Sequence, residues 1–148
     1  MGRGPLAYPD DSGSSWAGSG VRPGQLAVTA IHLRKYDGNK PAVLLSARPT
    51  DTKEARGLRL RYAATTGVGL HIGAARGWKP QAWDLHPLVG FQIRPGQDAA
   101  IVVGATSSRP GVYFVRSFVV DYRIGDTRYR ATYRQGIETC VGRPTCPD

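Results

Sequence analysis

The chain has 148 residues, of which 41% are hydrophobic and 21% charged, the size and composition of one globular domain. Nineteen glycines and eleven prolines indicate many turns but stay below the level typical of disorder. No stretch approaches the ~20 apolar residues of a membrane-spanning helix. The net charge of +9, from 16 arginines and four lysines, favours anionic partners. Because the arginines are scattered along the chain, a bias in coding composition also explains the charge.

The first 24 residues are rich in Gly, Ser, Pro and Asp and show no hydrophobic periodicity. This composition is typical of a flexible linker or of a tether from an anchor or an upstream domain. We therefore predict a linker over residues 1–24, from which Trp16 could dock back onto a domain spanning residues 25–140.

Short runs rich in Val, Ile, Tyr and Phe, separated by Pro-Gly and Gly-Asp turns, predict antiparallel strands. The predicted strands cover residues 26–35, 42–48, 58–62, 68–72, 89–93, 99–104, 112–122 and 127–138. The first is apolar on both phases, which indicates a bulge or a strand that passes between sheets. Turn signals recur every 8 to 12 residues or so, as in β-sandwiches. The sequence therefore predicts an all-β fold, an immunoglobulin-like antiparallel β-sandwich of about seven or eight strands.

Two cysteines, Cys140 and Cys146, lie at the C-terminal end. We predict that they form a disulfide that staples a tail over residues 141–148, with two free cytosolic thiols or half a metal site as alternatives. Since His32, His71 and His86 are dispersed, we expect no metal. A disulfide implies an exported protein, and no signal peptide is visible. Either a signal or anchor is missing from the front of the chain, or the protein is cytoplasmic.

Enzyme chemistry has little support in the sequence. No nucleophile-elbow, P-loop, zinc-protease or calcium-loop pattern is present. Asp84 and His86, two residues apart in the loop over residues 74–87, are the best candidates for an acid–base pair, although a hydrogen bond within the loop explains them more simply. We expect a protein that is not an enzyme and that carries no cofactor.

The same loop contains Trp78, Lys79 and Trp83. Exposed tryptophans beside a lysine can stack on a sugar ring, a peptide or a lipid interface. Alternatively, the loop folds over one open end of the sandwich and its rings plug the core. If the rings are exposed, this loop is the predicted binding site.

Two strands carry arginines on alternate positions: Arg59 and Arg61 on one, and Arg128, Arg130 and Arg134 on the other. Side chains two apart on a strand lie roughly 6.5 to 7 Å apart on one face, so each stripe could contact a polyanion or an anionic lipid. A solvated sheet face, or protection of a sheet edge, is the alternative. Nucleic acid is a weaker version of the same hypothesis, because no aromatic RNA-binding signature accompanies the arginines.

The motif Arg109-Pro-Gly-Val-Tyr113, followed by a long strand and the Gly125-Asp126 turn, resembles the last strands of immunoglobulin-like and fibronectin-III-like domains in bacterial surface proteins. In that resemblance Tyr113 is the corner tyrosine. Over residues 25–146 the chain is similar to uncharacterised actinobacterial envelope proteins with one membrane anchor and an extracytoplasmic β-sandwich. It departs from them in lacking the anchor, and no cysteine pair spans its sheets.

The expected function is that of a non-catalytic, extracytoplasmic binding or structural module of the bacterial cell envelope that acts by protein–protein interaction. The alternative is a binder of anionic polymers or lipids through an arginine-rich sheet face, which requires both stripes to share one face. An enzyme would instead require a cleft that brings a histidine beside an aspartate or a serine.

Overall fold

The computed structural model of the chain describes residues 1–9 and 14–147. Eleven strands and a single-turn 3₁₀ helix, η1, form the secondary structure of this part of the chain. The strands are β1 Ser15–Val21, β2 Ala27–His32, β3 Ala42–Pro49, β4 Arg59–Thr65, β5 Ala75–Arg76, β6 Gln92–Ile93, β7 Ala100–Thr106, β8 Gly111–Val115, β9 Phe118–Ile124, β10 Thr127–Tyr133 and β11 Gln135–Val141, and η1 is Val68–His71. None of the described residues belongs to a helix long and apolar enough to cross a membrane.

The strands form three sheets. Sheet A has the order β10-β9-β3-β6, sheet B the order β1-β11-β8, and sheet C the order β4-β7-β2-β5. The pairing of β1 with β11 is parallel, and the other strand pairs within these sheets are antiparallel. The predicted class, an all-β sandwich, is confirmed.

One main core lies between the sheets. Alternate residues of each strand supply it because side chains along a strand point to opposite faces. Buried members from the three sheets include Leu44 and Phe118 of sheet A, Ile137 of sheet B, and Ile31 and Val103 of sheet C. Their alternation fixes which residues face outward on every sheet.

Sheet C is buried on both faces. Its second face carries an outer cluster formed by Val28, Ala30, Ala100 and Val102, which is covered by side chains from residues 70–85. This explains why β2 is apolar on both phases: a sheet covered on both sides has nearly continuous apolar strands. The predicted bulge or change of sheet within this strand was therefore the wrong interpretation.

Two predicted long strands are each divided between two sheets. The strand predicted over residues 112–122 breaks after β8, so that the chain leaves sheet B and continues as β9 in sheet A. The strand predicted over residues 127–138 breaks after β10 and returns to sheet B as β11. The return requires Gly136, because a Cβ there would lie 2.5 Å from the carbonyl oxygen of Val115.

The strand predicted over residues 68–72 is instead η1, followed by Ile72. Gly69 allows this turn to pack closely, since a Cβ there would lie 2.6 Å from Thr65 Cγ2 and 2.8 Å from the Trp83 carbonyl oxygen. Leu70 and Ile72 both pack on the outer cluster of sheet C. Their spacing of two residues is typical of a strand, but here a short turn places both side chains against the same cluster.

The linker predicted over residues 1–24 is also corrected where the segment is described. Residues 15–21 form β1, and Leu6 is fully buried in the main core. The backbone of Gly2 pairs with Tyr129 at the edge of sheet A. Residues 10–13 of the predicted linker, and residue 148 of the predicted tail, lie outside the described residues.

Candidate functional site

Trp78 and Trp83, predicted to bind if exposed, are half-buried over the outer cluster of sheet C. The loop therefore covers a sheet face and does not close an open end of the sandwich. The Arg61 guanidinium lies 4.6 Å from the centroid of the Trp78 ring, and the Lys79 ammonium lies 5.6 Å from that of Trp83. Each ring thus has an apolar contact and a cation contact within the chain. Ligand binding by this loop stays a prediction.

The two arginine stripes do not share a face. On β4, Leu60 packs against the main core, so Arg59 and Arg61 point outward from sheet C. On β10, Ala131 is buried in the same core, so the alternate arginines point outward from sheet A. The alternative function requires one surface containing Arg59, Arg61, Arg128, Arg130 and Arg134. The structure does not bring the two stripes onto one face, because β4 and β10 bound the core from different sheets.

On the outer face of sheet A, Arg130 is engaged by Asp121. The Arg130 Nε donates to Asp121 Oδ1 at 2.7 Å, and Arg48 Nη1 donates to Asp121 Oδ2 at 3.1 Å. These charged hydrogen bonds, that from Arg130 first, lower the pKa of the Asp121 carboxyl below its usual range. Arg134 follows β10 and lies at another surface, described below.

The acid–base candidates form a loop contact. His86 Nε2 and Asp84 Oδ1 are 3.0 Å apart and both side chains are exposed, while the His86 ring lies 5.7 Å from the Phe91 ring. No hydroxyl or thiol of the described residues hydrogen-bonds to His86. Asp84 and His86 therefore have no nucleophile within hydrogen-bond distance among the described residues.

His32 and His71, far apart in sequence, line one open cavity of about 320 Å³ together with Asp98 and Tyr8. Sequence reasoning missed this juxtaposition, because it depends on η1 packing against β2. Burial, with a smaller contribution from Asp98, raises the pKa of the Tyr8 hydroxyl. Among the described side chains, no hydrogen bond links these histidines to a carboxylate or a hydroxyl.

The Cys140 and Cys146 sulfurs are 2.07 Å apart and form a disulfide on the outer face of sheet B. Residues 142–146 fold back over two glycines of β1. A Cβ at Gly20 would lie 2.4 Å from the Arg143 carbonyl oxygen, and one at Gly18 would lie 3.1 Å from Cys146 Sγ. Among the described residues, Glu138, Cys140 and Cys146 lie close enough together to be considered as metal ligands. Because the two sulfurs are joined in a disulfide, they provide no thiolate to bind a metal ion.

Tyr113 lies on β8 and anchors the preceding turn. Its hydroxyl donates to the Arg109 carbonyl oxygen at 3.1 Å and accepts from Ser107 Oγ at 3.2 Å. A corner tyrosine of an immunoglobulin-like domain makes this kind of bond to backbone a few residues upstream. Assignment of that role to Tyr113 stays a prediction.

An aromatic patch that the sequence did not predict lies on sheet B. We define it as Trp16, Val112 and Phe114. Trp16 is 61% exposed, Val112 is 43% exposed, and the Trp16 and Phe114 rings are 5.7 Å apart. Beside the rings is a groove of about 350 Å³ that Arg116 and Arg134 also line. The patch exists because β1 and β8 flank β11, which brings together two segments that are distant in sequence.

Charged side chains of both signs border the patch, because Glu138 of β11 pairs with Phe114 of β8 and lies on the same face. The Arg116 guanidinium lies 5.2 Å from the Phe114 ring centroid and also pairs with Glu54. Arg134 makes no side-chain ion pair within the described part of the chain. The patch therefore combines an exposed tryptophan, a second aromatic ring and an arginine without an ion-pair partner among the described residues, and Trp and Arg are residue types enriched where binding energy concentrates at protein interfaces.

No protein-family model and no curated protein matches this chain. Among solved structures, it is similar to the ASH/PapD-like domain of human CEP192 (PapD-like domain 7), with 10% identity and a TM-score of 0.49, covering 95% of this chain and 96% of that one. It is also similar to the Vibrio cholerae VesB protease, with 11% identity and a TM-score of 0.44, covering 86% of this chain but only 30% of the protease. At these values neither likeness carries an argument about activity or partner.

Proposed function

We propose that this chain is a non-catalytic β-sandwich module that binds a partner protein through the aromatic patch. The exposed Trp16 ring, tilted against Phe114 with the ring centroids 5.7 Å apart, is the observation that carries the proposal. Full burial of a large apolar side chain contributes roughly 1.5–3 kcal/mol, and a partner that covers the 61% of Trp16 left exposed can recover part of this. Trp is also one of the residue types enriched among the hot spots at the centre of protein interfaces.

The chemistry of the patch defines the partner surface. The groove beside the rings takes an apolar side chain, and Arg134 at its border attracts a carboxylate. We therefore infer that the partner presents an apolar residue next to Asp or Glu. The interface is placed at Trp16 in preference to Trp78 and Trp83, because those two rings are half-buried and each already contacts a cation.

The module is proposed to work outside the cytoplasm, as part of a bacterial cell envelope. The Cys140–Cys146 disulfide supports this location, since disulfides persist in oxidising compartments and are rare in the cytosol. The tail that it closes lies over Gly18 and Gly20 and leaves the Trp16 end of β1 uncovered. Membrane anchoring follows only from the sequence resemblance and is part of the same proposal.

The test is site-specific photo-crosslinking in the cells that make the protein. A photoreactive phenylalanine analogue is placed at Trp16 in one variant and at Val89 in another. Val89 is a matched control because it is a large apolar residue that is 73% exposed away from the patch. The proposal predicts a discrete protein adduct, formed in the envelope fraction, from position 16 and not from position 89. Equal adducts at both positions, or adducts confined to cytosolic proteins, would contradict it.

A further inference from the structure

Arg123 and Arg128 lie directly opposite each other across the β9–β10 hairpin. Their neighbours Tyr122 and Tyr129 stack on the inner side with ring centroids 5.4 Å apart, so both arginines project from the outer face of sheet A. Directly opposed side chains have Cβ atoms about 4.5–5.5 Å apart, and like charges in that position destabilise a sheet. The hairpin therefore places two cationic side chains on directly opposed positions, at a cost to the fold.

The next pair on the same face is arranged differently. Arg130 lies opposite Asp121, and Arg48 reaches the same carboxylate from β3. No carboxylate within the described residues forms an ion pair with Arg123 or Arg128. Within the described residues, the Arg123 guanidinium donates to the Gly125 carbonyl oxygen, at 3.3 Å. The inner pair of this face is neutralised by Asp121, whereas the pair next to the turn has no ion-pair partner among the described residues.

A third cation approaches the same end of the hairpin. The Lys40 ammonium lies 3.9 Å from the position of a Cβ at Gly125, in the turn that joins β9 and β10. Guanidinium groups recognise phosphate oxygens through paired N–H donors, and two guanidinium groups on opposed positions can donate to different oxygens of one tetrahedral group. The chemistry of this end of the hairpin thus matches a phosphate oxyanion.

We propose that Arg123 and Arg128 form a site for a phosphate group carried on an anionic polymer. The polymer continues along sheet A past Arg130 and Arg48, because residues two apart on a strand lie roughly 6.5 to 7 Å apart. The four arginines of this face and the single carboxylate of Asp121 sum to a net charge of +3. The arginines are Arg48, Arg123, Arg128 and Arg130. The site is independent of the aromatic patch on sheet B, so either can fail without the other.

Binding of inorganic polyphosphate and of orthophosphate to the full chain tests the proposal, at low salt and at equal concentration of phosphate groups. The variant is Arg123→Gln/Arg128→Gln. The matched control is Arg59→Gln/Arg61→Gln, which removes the same charge from sheet C. We expect polyphosphate to bind the control as it binds the wild type, and to bind the Arg123/Arg128 variant about tenfold or more weakly. Equal losses in both variants would mean attraction by net charge alone and would overturn the site. If orthophosphate binds as tightly as polyphosphate, the proposal that the phosphate is carried on a polymer is wrong.

A second measurement does not depend on the ligand. The variant Arg128→Gln removes the repulsion while leaving Arg123 in place. We expect it to be more stable than the wild type at low salt, with the difference shrinking as salt or polyphosphate is added. If Arg128→Gln is less stable than the wild type at low salt, the two arginines do not oppose each other and the premise of the site is wrong.

Discussion

The Tyr133 hydroxyl donates a hydrogen bond of 2.6 Å to the carbonyl oxygen of Leu6, which lies 127 residues earlier in the chain. The Tyr122 hydroxyl completes the contact. It accepts from the Leu6 N–H at 3.0 Å and donates to the Arg3 carbonyl oxygen at 2.6 Å. Two buried tyrosines of the β9–β10 hairpin thus bind the backbone of the N-terminal segment, which is part of the folded domain.

Replacing Leu6 by Ala tests this integration. Because Leu6 is fully buried in the main core, the substitution should lower the free energy of unfolding by about 2–5 kcal/mol, measured by urea denaturation. Met1→Ala is the control, since Met1 is 74% exposed, and it should leave stability unchanged. If both substitutions leave the urea midpoint unchanged, the N-terminal segment does not belong to the cooperative unit.

Two buried tyrosine hydroxyls should respond oppositely to removal. The Tyr62 hydroxyl is buried and lacks a hydrogen-bond partner within the described residues. Tyr62→Phe removes an unsatisfied polar atom and should leave stability unchanged or raise it by up to about 1 kcal/mol. Tyr122→Phe leaves the Leu6 N–H without its acceptor and should cost about 1–3 kcal/mol. Urea denaturation of both variants makes the comparison, and equal losses would contradict the assigned hydrogen bonds.

Alkaline pH should destabilise the fold through the same tyrosines. Burial raises the pKa of Tyr62 and of Tyr122 from 10.0 to about 12, and it also raises the pKa of Tyr133. Above pH 10.0 the unfolded chain releases these protons before the folded protein does. Their contribution to stability is therefore complete below pH 10.0 and is lost as the pH rises towards 12. Urea midpoints should fall over this range, and less steeply in Tyr62→Phe. A flat profile would show that these hydroxyls are not protected.

The disulfide-closed tail and Gly20 should be energetically coupled. A Cβ at Gly20 meets the backbone of Arg143 and Pro144 at 2.4 Å, so Gly20→Ala must displace the tail and should cost about 1–3 kcal/mol. In a Cys140→Ala/Cys146→Ala background the tail is released, and the same substitution should cost much less. Gly73→Ala, with no atom within 4 Å of the new Cβ, is the control. Equal costs in both backgrounds, measured by thermal unfolding, would show that the tail does not lie on β1.

Periodicity predicted the strands that have one buried face and one solvated face. The alternation of Leu58, Leu60 and Tyr62 with Arg59 and Arg61 identified β4 and its outward residues. Periodicity could not predict whether the two arginine stripes share one surface. That depends on how the β9–β10 hairpin packs against sheet C, which local sequence does not encode.

The missed features depend on contacts between distant segments. Apart from Trp16 and Val21, β1 consists of Ser, Gly and Ala, a composition typical of a linker, yet its glycines are required by the tail that crosses them. The breaks after Val115 and Tyr133 lie inside continuous apolar runs, and only the close approach of Gly136 to Val115 reveals the corner. Trp16 of β1 and Phe114 of β8 come together because both strands pair with β11, one on each side, and their rings meet over its outer face. No local pattern encodes that contact.

The central claim, that the aromatic patch binds protein, is tested most directly with peptides selected from a random library on the disulfide-bonded wild-type protein. We expect the selected peptides to carry an apolar residue beside Asp or Glu. Fluorescence anisotropy should then give equal affinity for wild type and Val89→Ser, and affinity weaker by about tenfold or more for Trp16→Ser. If Trp16→Ser binds the peptides as tightly as the wild type, the aromatic patch is not the binding site.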